Sequence, residues 1–276
     1  MVKVNIRDKN FIPYDKSSCH LATNKHVEWV SSNEPVSKTC FITDLCLNDV
    51  FKANGVKRKV AWILEPRSIH PHSYDWIEKN NKHFDYVLTF DQKLISKGEN
   101  YLYYPHGRCW IHNFNNEKKT KFCSMFASIK SATNGHRLRH QIIDRFKNFN
   151  IDCFGGYVKN HIDKKEKGLN EYMFSITVEN SIIPGYWTEK VVDCFATKTI
   201  PIYFGDKISV NNFFDYDGII YFNNLDELGD ILNDISKDPE KVYKSKIGAI
   251  ENNFKKYEEF IIPEDWIYIN YPFLFE

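Results

Sequence analysis

The stretch 179–190, ENSIIPGYWTEK, sets a glutamate and an asparagine a few residues before a tyrosine, a glutamate and a lysine. If a helix begins at Thr188, whose hydroxyl is a good cap, Glu189 and Lys190 fall in its first turn. A helix start offers unpaired N–H groups and about half a positive charge, which suits a phosphate. Lys190 adds a full cation, which by itself opposes the helix dipole at a cost on the order of a few tenths of a kcal/mol. That arrangement makes sense if an anion normally neutralises it. Glu189 favours the dipole, so capping explains it as well as function does; its functional reading is a two-oxygen acceptor for a ribose diol, beside a diphosphate on Lys190. Tyr186 and the pair Glu179 and Asn180 complete a candidate site.

Such a site needs a sheet to carry it. MFSITVEN and IPIYFGD read as buried parallel strands on either side of the candidate helix, whose inner face is Val191, Val192, Phe195 and Ala196. In open α/β sheets ligands bind beyond the carboxyl ends of the strands, where TVEN and the GYWTEK helix start belong. Upstream, KFCSMFASI and IDCFGG read as strands around a helix over 134–150, whose stripe is Leu138, Ile142, Phe146 and Phe149. The Lys-rich 158–170 reads as a solvated loop, GIIYFNN as a further strand, and 225–260 as helical with a break at Asp238-Pro239. The N-terminal third alternates β-like runs (VKVNI, KTCFITD, KRKVAWILE, FDYVLTFD, YLYYPHG) with polar loops. The expected organisation is α/β, with an N-terminal domain over 1–116, a second domain over 117–250 and a helical tail over 251–276.

The chain of 276 residues exceeds the usual size of a single core. With 37 basic against 36 acidic residues and a net charge of +1, it has no global field for nucleic acid or a membrane surface, so any anion site is local. Aromatic residues make up 16%, which suits large cores and sugar-contacting surfaces alike. The seven cysteines are scattered, with no C-x-x-C pair, as reduced core thiols are. MVKVNIRDKN has no signal-peptide character and no run of eighteen apolar residues occurs. A reducing, soluble, cytoplasmic setting is the expectation.

The segment YMFSITVENSIIPGYWTEKVVDCFATKTIPIYFG resembles the donor-site signature of glycosyltransferase family 10, the α-1,3/1,4-fucosyltransferases. The likeness is strong over this segment and weaker from Lys121 to Asn224. It implies a GT-B arrangement, two Rossmann-like domains facing a cleft, with 1–116 on the acceptor side and 117–250 binding the donor. It implies inverting transfer of fucose from GDP-fucose to a hydroxyl of a glycan or glycoconjugate, and a bacterial- or virus-like soluble form or one peripheral to a membrane. It further implies that Tyr186, Glu189 and Lys190 hold the nucleotide. The family's arginine at the start of the first donor-domain helix aligns with Arg139, with Arg137 as the second candidate.

Charge grows on the departing diphosphate as the sugar–phosphate bond breaks, so preorganised cations are required. Arg139, Lys190 and a helix dipole would serve in place of a metal, and no metal cofactor is expected. Asp215-Tyr216-Asp217 has the D-x-D spacing of a metal ligand but the composition of a turn. The acceptor hydroxyl must lose a proton, and Glu65, ending KRKVAWILE before Pro66, resembles the family's catalytic base. Leu64 departs from the small residue usual before that glutamate. His70 and His72 are further candidates for base or acceptor contact. Two alternatives stand beside this reading: the same fold with another nucleotide-sugar donor, and a non-catalytic carbohydrate- or nucleotide-binding module.

Overall fold

Runs rich in Val, Ile, Phe and Tyr, separated by helix-length segments, form two all-parallel sheets in the computed structural model, which describes residues 1–9, 16–19, 22–111, 114 and 118–276. The chain divides into two compact units, Met1–His106 with Pro184–Tyr186 and Ile261–Glu276, and Gly107–Ile183 with Trp187–Phe260. The expected boundary between 116 and 117 lies outside the described residues. The stretch 251–276, expected as one tail, is shared: 251–260 belongs to the second unit and 261–276 to the first.

In the first unit, β1 (Val2–Arg7), β2 (Val27–Val30), β3 (Thr39–Thr43), β4 (Arg58–Trp62), β5 (Tyr86–Thr89) and β6 (Tyr101–Tyr103) lie in the order β2-β1-β3-β4-β5-β6. Helix α1 (Pro71–Asn80) follows β4, and the short α2 (Gln92–Ile95) follows β5. A 3-10 segment over Asp44–Phe51 follows β3 at once. Cys40, Ile42, Leu47, Val50, Ile63, Tyr74, Ile77 and Val87 share one buried cluster, so this segment and α1 cover the same face of the sheet.

The second unit orders β7 (Lys121–Phe126), β8 (Ile151–Phe154), β9 (Tyr172–Val178), β10 (Ile200–Phe204) and β11 (Ile220–Tyr221) as β11-β10-β9-β7-β8. All seven residues of β9 are buried, as a nearly continuous apolar strand in the middle of a parallel sheet is. Its register against β10 pairs Ile176 with Ile202 and Val178 with Phe204. The helices are α3 (Asn134–Arg145), α4 (Glu189–Ala196), α5 (Lys207–Asn211), α6 (Leu225–Lys237), α7 (Pro239–Ser245) and α8 (Ile247–Lys256). The helix over 134–150 thus ends early, at Arg145, where Phe146 takes a non-helical conformation and packs edge-on against Phe149.

Helix α9 (Pro263–Asn270) returns to the first unit. Its first turn is acidic and receives the N-terminal segment: Ser17 Oγ and Ser18 N donate to Glu264 Oε1 at 2.7 and 2.9 Å, and Lys25 N and His26 N donate to Asp265. Among the described residues, no helix is long and apolar enough to cross a membrane.

Candidate active site

In both sheets the second strand of the sequence lies outside the first and the third lies on its other side, which leaves a crevice between the first and third strands at their carboxyl ends. In the second unit that crevice, between β7 and β9, holds a cavity of about 260 Å³. Phe126, Ala127 and Ser128 line it from the end of β7, and Ser175–Val178 from β9. The charged groups in its wall are Arg139, Lys165, Glu189 and Lys190. Gly155, also in the wall, has φ +107°, and a side chain there would come within 2.4 Å of the Ala127 carbonyl.

Each charged group is fixed by its element. Thr133 caps α3, whose first turn presses on the end of β9: Gly135 N donates to Asn180 O at 3.2 Å, and a methyl at Gly135 would lie 1.8 Å from Glu179 O. Only glycine allows that approach. It brings Arg139 one turn further on, buried, to donate through Nε to Val178 O at 3.1 Å and through Nη2 to Asn180 Oδ1 at 2.8 Å. Asn180 therefore orients the arginine.

Thr188 caps α4. Lys190 Nζ donates to Thr188 Oγ1 at 2.9 Å and stands 3.3 Å from Glu189 and 3.4 Å from Glu179. Glu179, with no exposed surface, accepts from Thr188 N at 2.9 Å, Thr188 Oγ1 at 2.8 Å and Tyr203 Oη at 3.3 Å. Its oxygens are thus engaged beneath the start of α4. Expected to touch donor, it instead holds the cap and the lysine in place.

The imidazole of His136 lies in the first turn of α3. It closes the α3 cap by accepting from Thr133 N at 3.3 Å, and burial, then Arg139, Lys130 and Lys190, push its pKa down to about 4. Three cations, Arg139, Lys165 and Lys190, and one carboxylate, Glu189, line the cavity. Lys165, read from the sequence as part of a solvated loop, is a further cation of that wall, paired with a buried aspartate on α4, Asp193, which also accepts from Trp110 N at 2.6 Å. Burial depresses a lysine, yet Asp193 and Glu189 more than offset it and raise Lys165 above its ordinary value. An acid inside the apolar run of α4 was the available sign of a buried partner.

Two other expected residues lie elsewhere. Arg137 is exposed and turns back on its own loop, donating to Ser131 O at 2.9 Å and to Asn134; the pitch of α3 points it away from the face that carries Arg139. Tyr186 is 1% exposed and belongs to the first unit, its ring 4.9 Å from Phe90 and 6.0 Å from His106. The chain enters the second unit after it, and there Trp187 packs on Phe213, Phe214 and Phe260. Asp215 caps a turn, accepting from Asp217 N at 3.1 Å.

In the first unit, Glu65 follows β4, half-buried, with its carbonyl accepting from Tyr74 Oη at 2.9 Å. His70 precedes α1, its Nδ1 3.7 Å from Asp44 Oδ2, and His72 is exposed in the first turn of α1. The Asp44 carboxylate raises His70 above the usual imidazole value against its partial burial. Nothing in the sequence marked Asp44, which stands 21 residues before Glu65.

Two Rossmann-like parallel sheets are the architecture of the GT-B fold. A crystal structure of an alpha1,3-fucosyltransferase with GDP-fucose superposes over 100% of this chain and 90% of its own, with a TM-score of 0.60 at 16% identity. TarM superposes over 87% of this chain and 55% of its own, with a TM-score of 0.56 at 13% identity. At these identities the likeness concerns the fold. The sequence adds a further likeness: residues 116–245 match the model for glycosyltransferase family 10 (fucosyltransferase), C-terminal part. The alpha-(1,3)-fucosyltransferase FucT of Helicobacter pylori is 26% identical over 171 residues, 54% of this chain. The aligned part spans 36% of that relative's length.

Proposed function

We propose that the chain is an inverting glycosyltransferase that moves fucose from GDP-fucose to a hydroxyl of a glycan or glycoconjugate. The observation that carries this reading is the convergence of Arg139 and Lys190 on one cavity at the β7/β9 crevice. As the bond between the anomeric carbon and the β-phosphate oxygen breaks, its electron pair stays on the diphosphate. Arg139, Lys190 and the N-terminus of α4 stabilise that charge, and because Glu179, Thr188 and Asn180 already hold them, no reorganisation is needed at that moment. Glu189 accepts hydrogen bonds from the ribose. The attacking hydroxyl forms the new bond to the anomeric carbon from the opposite face and gives its proton to Glu65. The family match over 116–245 supports this reading, and the fold permits it.

The test is thermal denaturation of the chain with a panel of nucleoside diphosphates and nucleotide sugars. GDP and GDP-fucose should raise the midpoint; a ligand at a hundred times its Kd adds about 2.7 kcal/mol. Stabilisation by uridine or adenosine sugars alone would transfer the reading to another donor. Stabilisation by GDP-fucose with no GDP released in the presence of any oligosaccharide would make the chain a binding module.

A further inference from the structure

The residues around Glu65 hold more than a strand end requires. Asp44, the first residue after β3, has a side chain with no exposed surface. Its two oxygens take the amides of consecutive residues at the end of β4: Leu64 N at 2.9 and 3.1 Å, and Glu65 N at 2.8 Å. The next peptide group is held from the other side, where Tyr74 Oη donates to Glu65 O. Arg67 lies 4.3 Å over the ring of that tyrosine and is itself tied to Glu78 and Asp91 at 2.9 and 3.0 Å. Ser73 Oγ donates to the carbonyl of Asp44 at 3.0 Å. Residue 65 is thus gripped at both its N–H and its C=O, and the direction in which its side chain leaves the backbone is set.

A buried carboxylate is a costly way to satisfy two amides, since desolvation works against the charge. Here burial pushes Asp44 upward, and His70 with the two amides offsets only part of that. The third neighbour is His70 Nδ1, buried, without a hydrogen-bond partner among the described residues and 3.7 Å from Asp44 Oδ2. Such an expensive group, spent on the peptide that carries one particular glutamate, has a use if the glutamate must point to within a fraction of an ångström.

We propose that Asp44 is the positioning residue of the Glu65 carboxylate, acting through the residue 64–65 amides and not by contact with substrate. This rests on the reading of Glu65 as the general base. The test is steady-state release of GDP from GDP-fucose with a panel of neutral oligosaccharides, the fastest acceptor being carried forward, together with calorimetric titration of GDP. Asp44→Asn should lower kcat by about tenfold or more while the KM for GDP-fucose and the Kd for GDP stay within about twofold. A kcat within about twofold of the parent, or a parallel loss of GDP affinity, overturns the proposal. Should Asp44→Asn fail to fold, Asp44→Glu, which keeps both oxygens and moves them one methylene outward, carries the same measurement with the same two outcomes. Glu65→Gln in the same assay separates the two levels: retained turnover removes the base reading and this proposal with it, whereas lost turnover beside an unaffected Asp44→Asn overturns this proposal alone.

Discussion

The two strand-end junctions to which we assign chemistry are built differently. In the second unit, Glu179, Thr188, Glu189 and Lys190 come from one strand–helix connection, and a single helix, α3, supplies Arg139 and the Gly135 contact. In the first unit, Glu65 ends one strand, the group that holds its amide ends another, and Tyr74 comes from the following helix. One site draws several of its polar groups from a single short stretch of sequence, and the other is assembled across strands. The first kind writes part of its chemistry into a short motif. The second leaves only a strand end with an acid on it.

The sharpest way to break that comparison is Glu65→Gln. Loss of a general base should cost about 10²–10⁴-fold in transfer rate with GDP affinity intact. Calorimetry and turnover on one preparation read both, and unchanged turnover would move the base elsewhere, with His70 next in line. Lys190→Ala comes second. Removing a charge-assisted hydrogen bond costs about 1.5–3 kcal/mol, or roughly 10- to 100-fold in kcat/KM for GDP-fucose. Because Lys190 faces the fully buried Glu179, it should also lower stability, by about 1–2 kcal/mol, since Thr188 and Tyr203 still satisfy that carboxylate. A midpoint in urea that does not move would show that the ion pair is idle.

Gly135→Ala tests the glycine contact. Forcing a methyl against Glu179 O should cost about 1–3 kcal/mol of stability and weaken GDP binding as α3 and Arg139 withdraw. Wild-type GDP affinity in that variant would mean that Arg139 is not positioned by this contact. The smallest effect is the pH response of His136. Unfolded, the ring binds a proton below about 6.5; folded, it does so only near about 4. Between those values the unfolded state takes up the extra proton, so stability is lost as pH falls through that window. Thermal midpoints from pH 7 to 4 should show this loss, His136→Gln should reduce it, and GDP should reduce it by offsetting Arg139 and Lys190.

Much of the second unit is legible in sequence because buried parallel strands advertise themselves as nearly continuous apolar runs, and 175–206 contains two of them around a capped helix. Lys165 was hidden because a lysine in a polar loop looks solvated until Asp193 is seen beneath it. Tyr186 misleads for the opposite reason. A phenol inside a chemical motif looks like a ligand group, but here it is core. Arg137 and Arg139 differ only in helical phase, which a one-turn window at the helix start resolves poorly. Asp44 could not be read at all, for its meaning lies in a pairing between strands β3 and β4 that no local pattern encodes. β2 escaped notice because four residues at a sheet edge carry too little apolar pattern.

The return of residues 261–276 to the first unit bears on how the chain is made. During synthesis the N-terminal sheet emerges first, yet Ser17 and Ser18 must wait for Glu264. Residues 107–260 will have left the ribosome by then, so the unit begun earliest is finished last. A nascent chain stalled before Pro263 would hold the serines' partner back, leaving the sheet that bears Glu65 open to proteases and chaperones while its neighbour is already whole.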